Sequence, residues 1–183
     1  GKIAMKLNND DKLVNVVTCS EKDNIFLSTR LGKCIRFLTN NVRLFSGRAS
    51  IGVRGIKLID NDKVISLAIL ENVDFDVEAR DKYLKYSTSE RKNEITSDLE
   101  INKEKIDMLK NKEEFILSVT DKGYGKRSSA YEYRKTKRGG VGIANMQLTD
   151  RNGNQVVASF PIKNTDQLML VTDKGKLIRC PVN

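Results

Sequence analysis

The chain has 183 residues, with 33 Lys+Arg against 24 Asp+Glu, a net charge of +9 and no histidine. The missing histidine excludes Ser-His-Asp and Cys-His catalysis, His-ligated metalloprotease sites and the commonest general acid or base. There is no run of about 18 apolar residues, and Gly1, Lys2, Ile3, Ala4 and Met5 form neither a signal peptide nor a membrane span; the expectation is a folded cytoplasmic protein with no membrane partner, whose start at Gly1 reads as a piece of something longer.

The first predicted element is Ile3-Ala4-Met5-Lys6-Leu7, in which Met5 and Leu7 share one face of a strand and Lys6 takes the other. A second strand is predicted at the apolar run Lys12-Leu13-Val14-Asn15-Val16-Val17. A third follows at Ile25-Phe26-Leu27-Ser28-Thr29, with a turn at Gly32 and a basic strand carrying Arg36. The order then recurs as Arg54-Gly55-Ile56-Lys57-Leu58, Lys63-Val64-Ile65-Ser66-Leu67-Ala68-Ile69, and Ile116-Leu117-Ser118-Val119-Thr120 with Gly123 and Arg127. It recurs again as Ala144-Asn145-Met146-Gln147-Leu148, Gln155-Val156-Val157-Ala158-Ser159-Phe160, and Leu168-Met169-Leu170-Val171-Thr172 with Gly175 and Arg179. The spacing Thr-x-x-Gly-x-x-x-Arg is the same in all three, and glycine at each turn supplies the positive φ of a hairpin.

Leu7 and Leu58 are 51 positions apart and Gly123 and Gly175 are 52 apart, but Gly32 and Gly123 are separated by 91, so an insert lies between Leu70 and Glu113. Residues 71–112 hold 11 acidic and 9 basic residues, leaving the repeats at +11. Ile95, Leu99, Ile106 and Leu109 fall at helical spacing, and Ser97-Asp98-Leu99-Glu100 has the form of a capping box. The insert therefore reads as a charged helical hairpin or loop, with a dedicated partner site as the alternative. Units of about 50 residues with short strands predict an all-β, propeller-like repeat of four-stranded blades forming a partial disc. Its repeats lie near residues 1–51, 52–70 with 113–139, and 140–183, around a helical insertion at 71–112.

Enzymatic readings find little support. Gly123-Tyr124-Gly125-Lys126-Arg127-Ser128 lacks the first glycine of a phosphate loop, which is Thr120, and no long helix pattern follows. Asp10-Asp11 and Asp60/Asp62 read as turn residues. Cys19, Cys34 and Cys180 are odd in number and widely spaced, and are expected to be packing residues, with no metal site. Basic residues, in contrast, recur: Lys33 and Arg36, Lys126 and Arg127, and Lys176 and Arg179 follow the hairpin glycines, while Arg43, Arg48, Arg54, Arg134, Lys135, Lys137 and Arg138 lie on the connections. Aligned by repetition, they would form a basic band that binds duplex phosphates without base specificity. Arg138-Gly139-Gly140-Val141-Gly142 is the most specific local motif, either a plain connector or a backbone brought close to a partner.

Ile51-Gly52-Val53-Arg54-Gly55-Ile56-Lys57-Leu58, Asp121-Lys122-Gly123-Tyr124-Gly125-Lys126-Arg127, Thr149-Asp150-Arg151-Asn152-Gly153 and Val171-Thr172-Asp173-Lys174-Gly175 resemble the carboxy-terminal DNA-wrapping domain of the bacterial DNA gyrase A-subunit family. The resemblance implies a β-pinwheel of about six blades, whose basic rim wraps double-stranded DNA so that ATP-driven strand passage introduces negative supercoils. It implies a noncatalytic arm with no cofactor of its own: the catalytic tyrosine would lie in the remainder of the gyrase A polypeptide, the ATPase in its gyrase B partner, and ATP and Mg only in the holoenzyme. The family's wrapping heptapeptide is Gln-x-Arg-Gly-Gly-x-Gly; residues 136–142 keep Arg138, Gly139, Gly140 and Gly142 but have Thr136 in place of glutamine, so they resemble a degenerate copy. The corresponding C-terminal domain of topoisomerase IV and a protein-binding propeller scaffold are the alternatives.

Overall fold

The computed structural model describes residues 1–92 and 102–182. Three antiparallel hairpins organise it: β1 (Asn24–Thr29) with β2 (Lys33–Leu38), β4 (Phe115–Thr120) with β5 (Gly125–Ser129), and β8 (Gln167–Val171) with β9 (Leu177–Pro181). Each has the Thr-x-x-Gly-x-x-x-Arg spacing, and Gly32, Gly123 and Gly175 all have φ between +74° and +80°, so the repeated glycine does the conformational work its spacing predicts.

The first two hairpins are completed by a strand from later in the chain. β3 (Val64–Leu70) joins β1, and β7 (Val156–Ile162) joins β4, each with a register shift at the end of the hairpin strand, between Ser28 and Thr29 and between Val119 and Thr120. β6 (Ile143–Ala144) adds a fourth strand to the first sheet, giving the order β3-β1-β2-β6 beside β5-β4-β7 and the separate β8-β9 pair. These are blades of a repeated β architecture, as the sequence predicts.

Because blades stack face to face, both faces of β2 are buried. Cys34 joins Phe26, Leu70, Ile116 and Tyr133 on one side, and Ile35 and Phe37 join Ile56 on the other. A chain of buried hydroxyl and amide groups also crosses between sheets: Tyr133 donates to Asn145 Oδ1 at 2.7 Å, Asn145 Nδ2 to Ser118 Oγ at 2.9 Å, Ser118 and Ser159 share a bond at 2.9 Å, and Ser28 donates to Ser159 at 3.0 Å. Each member is thereby paired away from water.

The predicted strands at 3–7, 12–17 and 54–58 are not formed, and of 144–148 only Ala144 lies in a strand. Their inside-outside alternation survives at Ile56 and Met146, which are buried, next to Lys57 and Gln147, which are exposed. Their backbones bond to loops instead: Lys6 N–H donates to the Ser50 carbonyl at 2.9 Å and Lys57 N–H to the Gly140 carbonyl at 2.8 Å. Residues 1–20 stay exposed, Ile3 and Val16 among them.

Between β3 and β4 the chain forms α1 (Val77–Arg91) and α2 (Lys103–Asn111), capped by Asp76 and Asn102. Ile106 and Leu109 do face the packed side of α2, with Tyr83, Val73 and Tyr131. Ile95, Leu99 and the predicted capping box at 97–100 lie outside the described residues. The insert is tied to the second blade by Tyr131, whose hydroxyl donates to the Leu109 carbonyl at 3.0 Å, and by Tyr83, which donates to Glu113 at 2.8 Å. No helix among the described residues is long and apolar enough to cross a membrane.

The arginine of the repeated motif joins neighbouring blades. Arg36 Nη1 donates to the Ala130 carbonyl at 2.8 Å and Nη2 to the Glu71 carbonyl at 3.3 Å. Arg127 Nη1 donates to the Val182 carbonyl at 3.2 Å, while Nη2 bonds Asn164 and the guanidinium lies 4.1 Å above the Phe115 ring. Ala130 and Val182 each stand three positions after the next hairpin's arginine, so the two bonds are copies of one interaction. Replacing Arg36 with alanine strands the buried Ala130 carbonyl, frees the part-buried Glu71 carbonyl and is expected to cost about 2–4 kcal/mol in urea unfolding, whereas Arg179→Ala, at an exposed site, stays within about 0.5 kcal/mol. Equal effects of the two substitutions would contradict the joining role.

Candidate nucleic-acid interface

Some of the predicted cations lie beside β2. Lys33 is paired in the ladder with Ala144 of β6, and Lys126 of β5 donates Nζ to the carbonyl of the next residue, Asn145, at 3.3 Å. Burial pushes the Cys34 thiol beside them up to about 12, with Lys126 and Lys33 pulling it back in part. Further along, Arg36 and Lys135 form a parallel bridge and Thr136 N–H donates to the Arg36 carbonyl at 2.8 Å. The connection at 134–138 therefore runs beside β2, leaving Arg134, Lys135 and Lys137 exposed.

Arg138 closes that connection. Its Nε donates to the Asn41 carbonyl at 2.8 Å and its Nη1 to the Arg54 carbonyl at 3.0 Å, while Gly139 N–H bonds the Gly55 carbonyl. The Arg-Gly-Gly-x-Gly segment is thus clasped to the loop of the preceding repeat. Gly142, at φ +73°, lies so close that a Cβ there would collide with the Cys34 carbonyl; a Cβ on Gly140 would meet only ordinary van der Waals contacts, with Ile35 and the Lys137 carbonyl at 4.0 Å.

Lys33, Arg43, Arg48, Arg54, Lys126, Arg134, Lys135, Lys137, Lys176 and Arg179 are all exposed. Lys176 and Arg179 stand on the separate β8-β9 pair, and Arg43 lies 4.5 Å above the Phe45 ring. Arg36 is a correction: at 3% exposure it is turned inward onto carbonyls and cannot meet a phosphate on the surface. Burial lowers its pKa, opposed mainly by the Glu114 carboxylate. Arg127 and Arg138 are half-buried with their guanidiniums engaged by the protein, so the expectation of one equivalent outward arginine per repeat does not hold. Cys34 is a packing residue, but Cys19 is exposed. Repetition also passes over Arg80 of α1, which lines a cavity with Arg134 and Lys135; it lies in the insert and has no copy elsewhere.

The family described as the DNA gyrase C-terminal domain, beta-propeller, matches residues 1–20, 23–71, 114–163 and 166–183. The chain belongs to that family. The unmatched stretch between 71 and 114 is where α1 and α2 lie, so this gyrase-type C-terminal domain carries its helices outside the family's shared repeats. The A subunit of DNA gyrase from Granulibacter bethesdensis is 47% identical over 204 residues, covering 100% of this chain and 22% of that protein. The A subunit of DNA gyrase from Rickettsia bellii is 46% identical over 189 residues, covering 98% and 21%. The chain thus spans about a fifth of the length of these relatives. The solved C-terminal domain of DNA topoisomerase IV superposes with a TM-score of 0.70 at 21% identity, covering 98% of this chain and 43% of that one. A DNA gyrase A C-terminal domain gives 0.68 at 22%, covering 98% and 47%. The solved structures share the β-pinwheel fold, and the sequence relatives are gyrase A proteins.

In this gyrase-type domain, Gly142→Ala is expected to lower stability by about 2–4 kcal/mol, because it combines a left-handed φ with a backbone collision, while Gly140→Ala is tolerated; chemical denaturation of both variants checks the contrast. A thiol reagent near pH 8 should modify Cys19 at once and Cys34 only on unfolding, since a thiol titrating near 12 holds almost no thiolate. Fast native-state labelling of Cys34 would contradict its burial.

Proposed function

We propose that the chain binds and wraps duplex DNA, as the noncatalytic C-terminal domain of a DNA gyrase A protein. The observation that carries this reading is the set of exposed cations alongside β2, namely Lys33, Lys126, Arg134, Lys135 and Lys137, on a body whose charge outside the insert is +11. Backbone phosphates are the ligand such a set suits: lysine and arginine neutralise them and release condensed counterions whatever the base sequence. The other exposed cations, Arg43, Arg48, Arg54, Lys176 and Arg179, would extend the contact as the duplex bends across successive blades.

On this reading Arg138, Gly139, Gly140 and Gly142 hold the connection in shape, and Lys137 beside them makes the contact. ATP hydrolysis, strand cleavage and the use of Mg belong to the rest of the gyrase A polypeptide and to its gyrase B partner, and this domain's part is to fix the hand of the DNA segment presented to them. The gyrase names of relatives at 46–47% identity favour this over the topoisomerase IV alternative.

Duplex affinity measured against salt is expected to give a log-log slope of about −4 or steeper. Replacing Lys33, Lys126 and Lys137 together by alanine is expected to flatten it by about 3, equally on unrelated sequences. Plasmid relaxed in the presence of the chain and then stripped of protein should retain a linking difference of one sign. A slope near zero would remove the DNA reading, and binding with no linking difference would leave a binder that does not wrap.

A further inference from the structure

We propose that the chain pairs head to tail with a second copy of itself, the β8-β9 hairpin of one copy filling the groove between residues 12–17 and 51–54 of the other. The pairing stands apart from DNA binding and follows from how the repeats share strands. Hairpin β1-β2 lies between β3 and β6, both from later in the chain, and β4 takes β7 in the same way. Hairpin β8-β9 has no flanking strand among the described residues, so both its edges offer unpaired ladder groups. Two flanking segments, conversely, have no hairpin between them. Residues 12–17 stand before β1 as β3 stands before β4, and Ile51-Gly52-Val53-Arg54 repeats Val141-Gly142-Ile143-Ala144, the segment that holds β6.

Both halves of the contact are apolar and open. Met169, Val171, Leu177 and Ile178 are 59–64% exposed, whereas the residues at the same places in the first hairpin, Phe26, Ser28, Cys34 and Ile35, are at most 2% exposed. The difference is the cover that the first hairpin has and the third lacks. The groove has a volume of about 690 Å³ and is lined by Met5, Leu7, Leu13, Val14, Ile51 and Val53. Apolar surface gathered in this way, rather than scattered singly, marks an interaction site.

The backbone supplies an independent observation. A Cβ on Gly142 would collide with the Cys34 carbonyl and one on Gly32 with the Met146 carbonyl, so these two glycines are where hairpin and flanking strand touch. Their counterparts, Gly52 at φ +87° and Gly175 at φ +74°, have the same left-handed backbone over open space; a Cβ on Gly52 would meet only the tip of Met5, at 3.9 Å, and one on Gly175 nothing within 4 Å. Docking sets Gly52 against the partner's Leu177 carbonyl and Gly175 against the partner's Ile56 carbonyl. Leu67 opposite Leu27 and Ile143 opposite Cys34 fix the register of the first blade, and carried over they place Val16 opposite the partner's Leu170 and Val53 opposite the partner's Leu177. Two copies are enough. The chain covers 43% and 47% of the solved domains it superposes on, so a pair has about the extent of one of them, and a head-to-tail contact that closes after two copies uses both hairpins and both grooves.

Sedimentation equilibrium of the full chain without DNA decides the matter. The expected mass is that of two chains at high micromolar concentration and of one chain when dilute, where Arg179 stays exposed as in the single copy. Added salt tightens the pair, because each copy carries +9 and the contact is apolar. Two variants damage opposite halves at sites exposed in the single copy: Val16→Asp in the flanking segment and Ile178→Asp in the hairpin. Melting of each when dilute confirms folding. Either alone is expected to weaken association by about 100-fold, since a charge is then buried unpaired. Mixed together, at concentrations where neither associates alone, they form a mixed pair: the hairpin of the Val16→Asp copy and the flanking segments of the Ile178→Asp copy are both intact. Association that ignores Val16→Asp would mean hairpin on hairpin, and association that ignores Ile178→Asp would mean groove on groove; either overturns the head-to-tail pair. A chain that stays single at every concentration, a mass that grows without limit, or variants that do not pair on mixing overturn it as well, and the groove then takes a different partner.

Discussion

The structure depends on a buried guanidinium that reaches from one hairpin to the carbonyl at the end of the next. Repeat architectures bury their faces only against neighbours, and apolar contact between flat sheets is non-directional, so something must fix how far one blade slides or turns on the next. Two donors in a rigid fork do this for β2 through Arg36 and for β5 through Arg127. The third hairpin has the same arginine, Arg179, but it is exposed, as are Met169, Val171, Leu177 and Ile178. The face that is covered in the first two hairpins is open in the third, and among the described residues no such bond is made by Arg179.

That arrangement explains what was legible in the sequence. The hairpins could be read from Thr-x-x-Gly-x-x-x-Arg because the turn glycine and the alternating apolar residues are local requirements, and all three formed as predicted. The role of the arginine was not legible, since repetition says that three residues share an environment without saying which one. Charge suggested the rim, yet a carbonyl three positions beyond the next arginine was waiting at a separation of 94 residues for Arg36.

Other misses have the same origin. The segments at 54–58 and 144–148 keep only part of the predicted alternation, since Leu58 is exposed and Asn145 is buried beside Met146, and their backbones bond mostly to loops and turns, so no extended ladder forms. Helix α1 had no apolar stripe to betray it: the buried positions are Ala79, Tyr83 and Ser87, four apart, and only the tyrosine among them is a large apolar residue. Its packing is decided by Tyr131 and Leu109, which lie far along the chain. Lys33, Lys126 and Lys137 were found as candidates because solvent exposure of a lysine needs no partner to be known.

The two roles of arginine here are coupled. Spending the motif arginines on blade contacts leaves the surface charge to lysines and to arginines on connections, whose course is set by bonds to backbone carbonyls, from Thr136 N–H to Arg36 and from the Arg138 side chain to Asn41 and Arg54. A lysine is a flexible point charge, and flexibility suits a ligand whose phosphates recur without base identity. The rigid cation therefore belongs inside, where geometry has to be fixed, and the mobile one outside. The cavity beside Arg36 is where the two meet: the side chain that joins the blades also faces the basic connection, so the structural bond and the surface charge share one strand, β2.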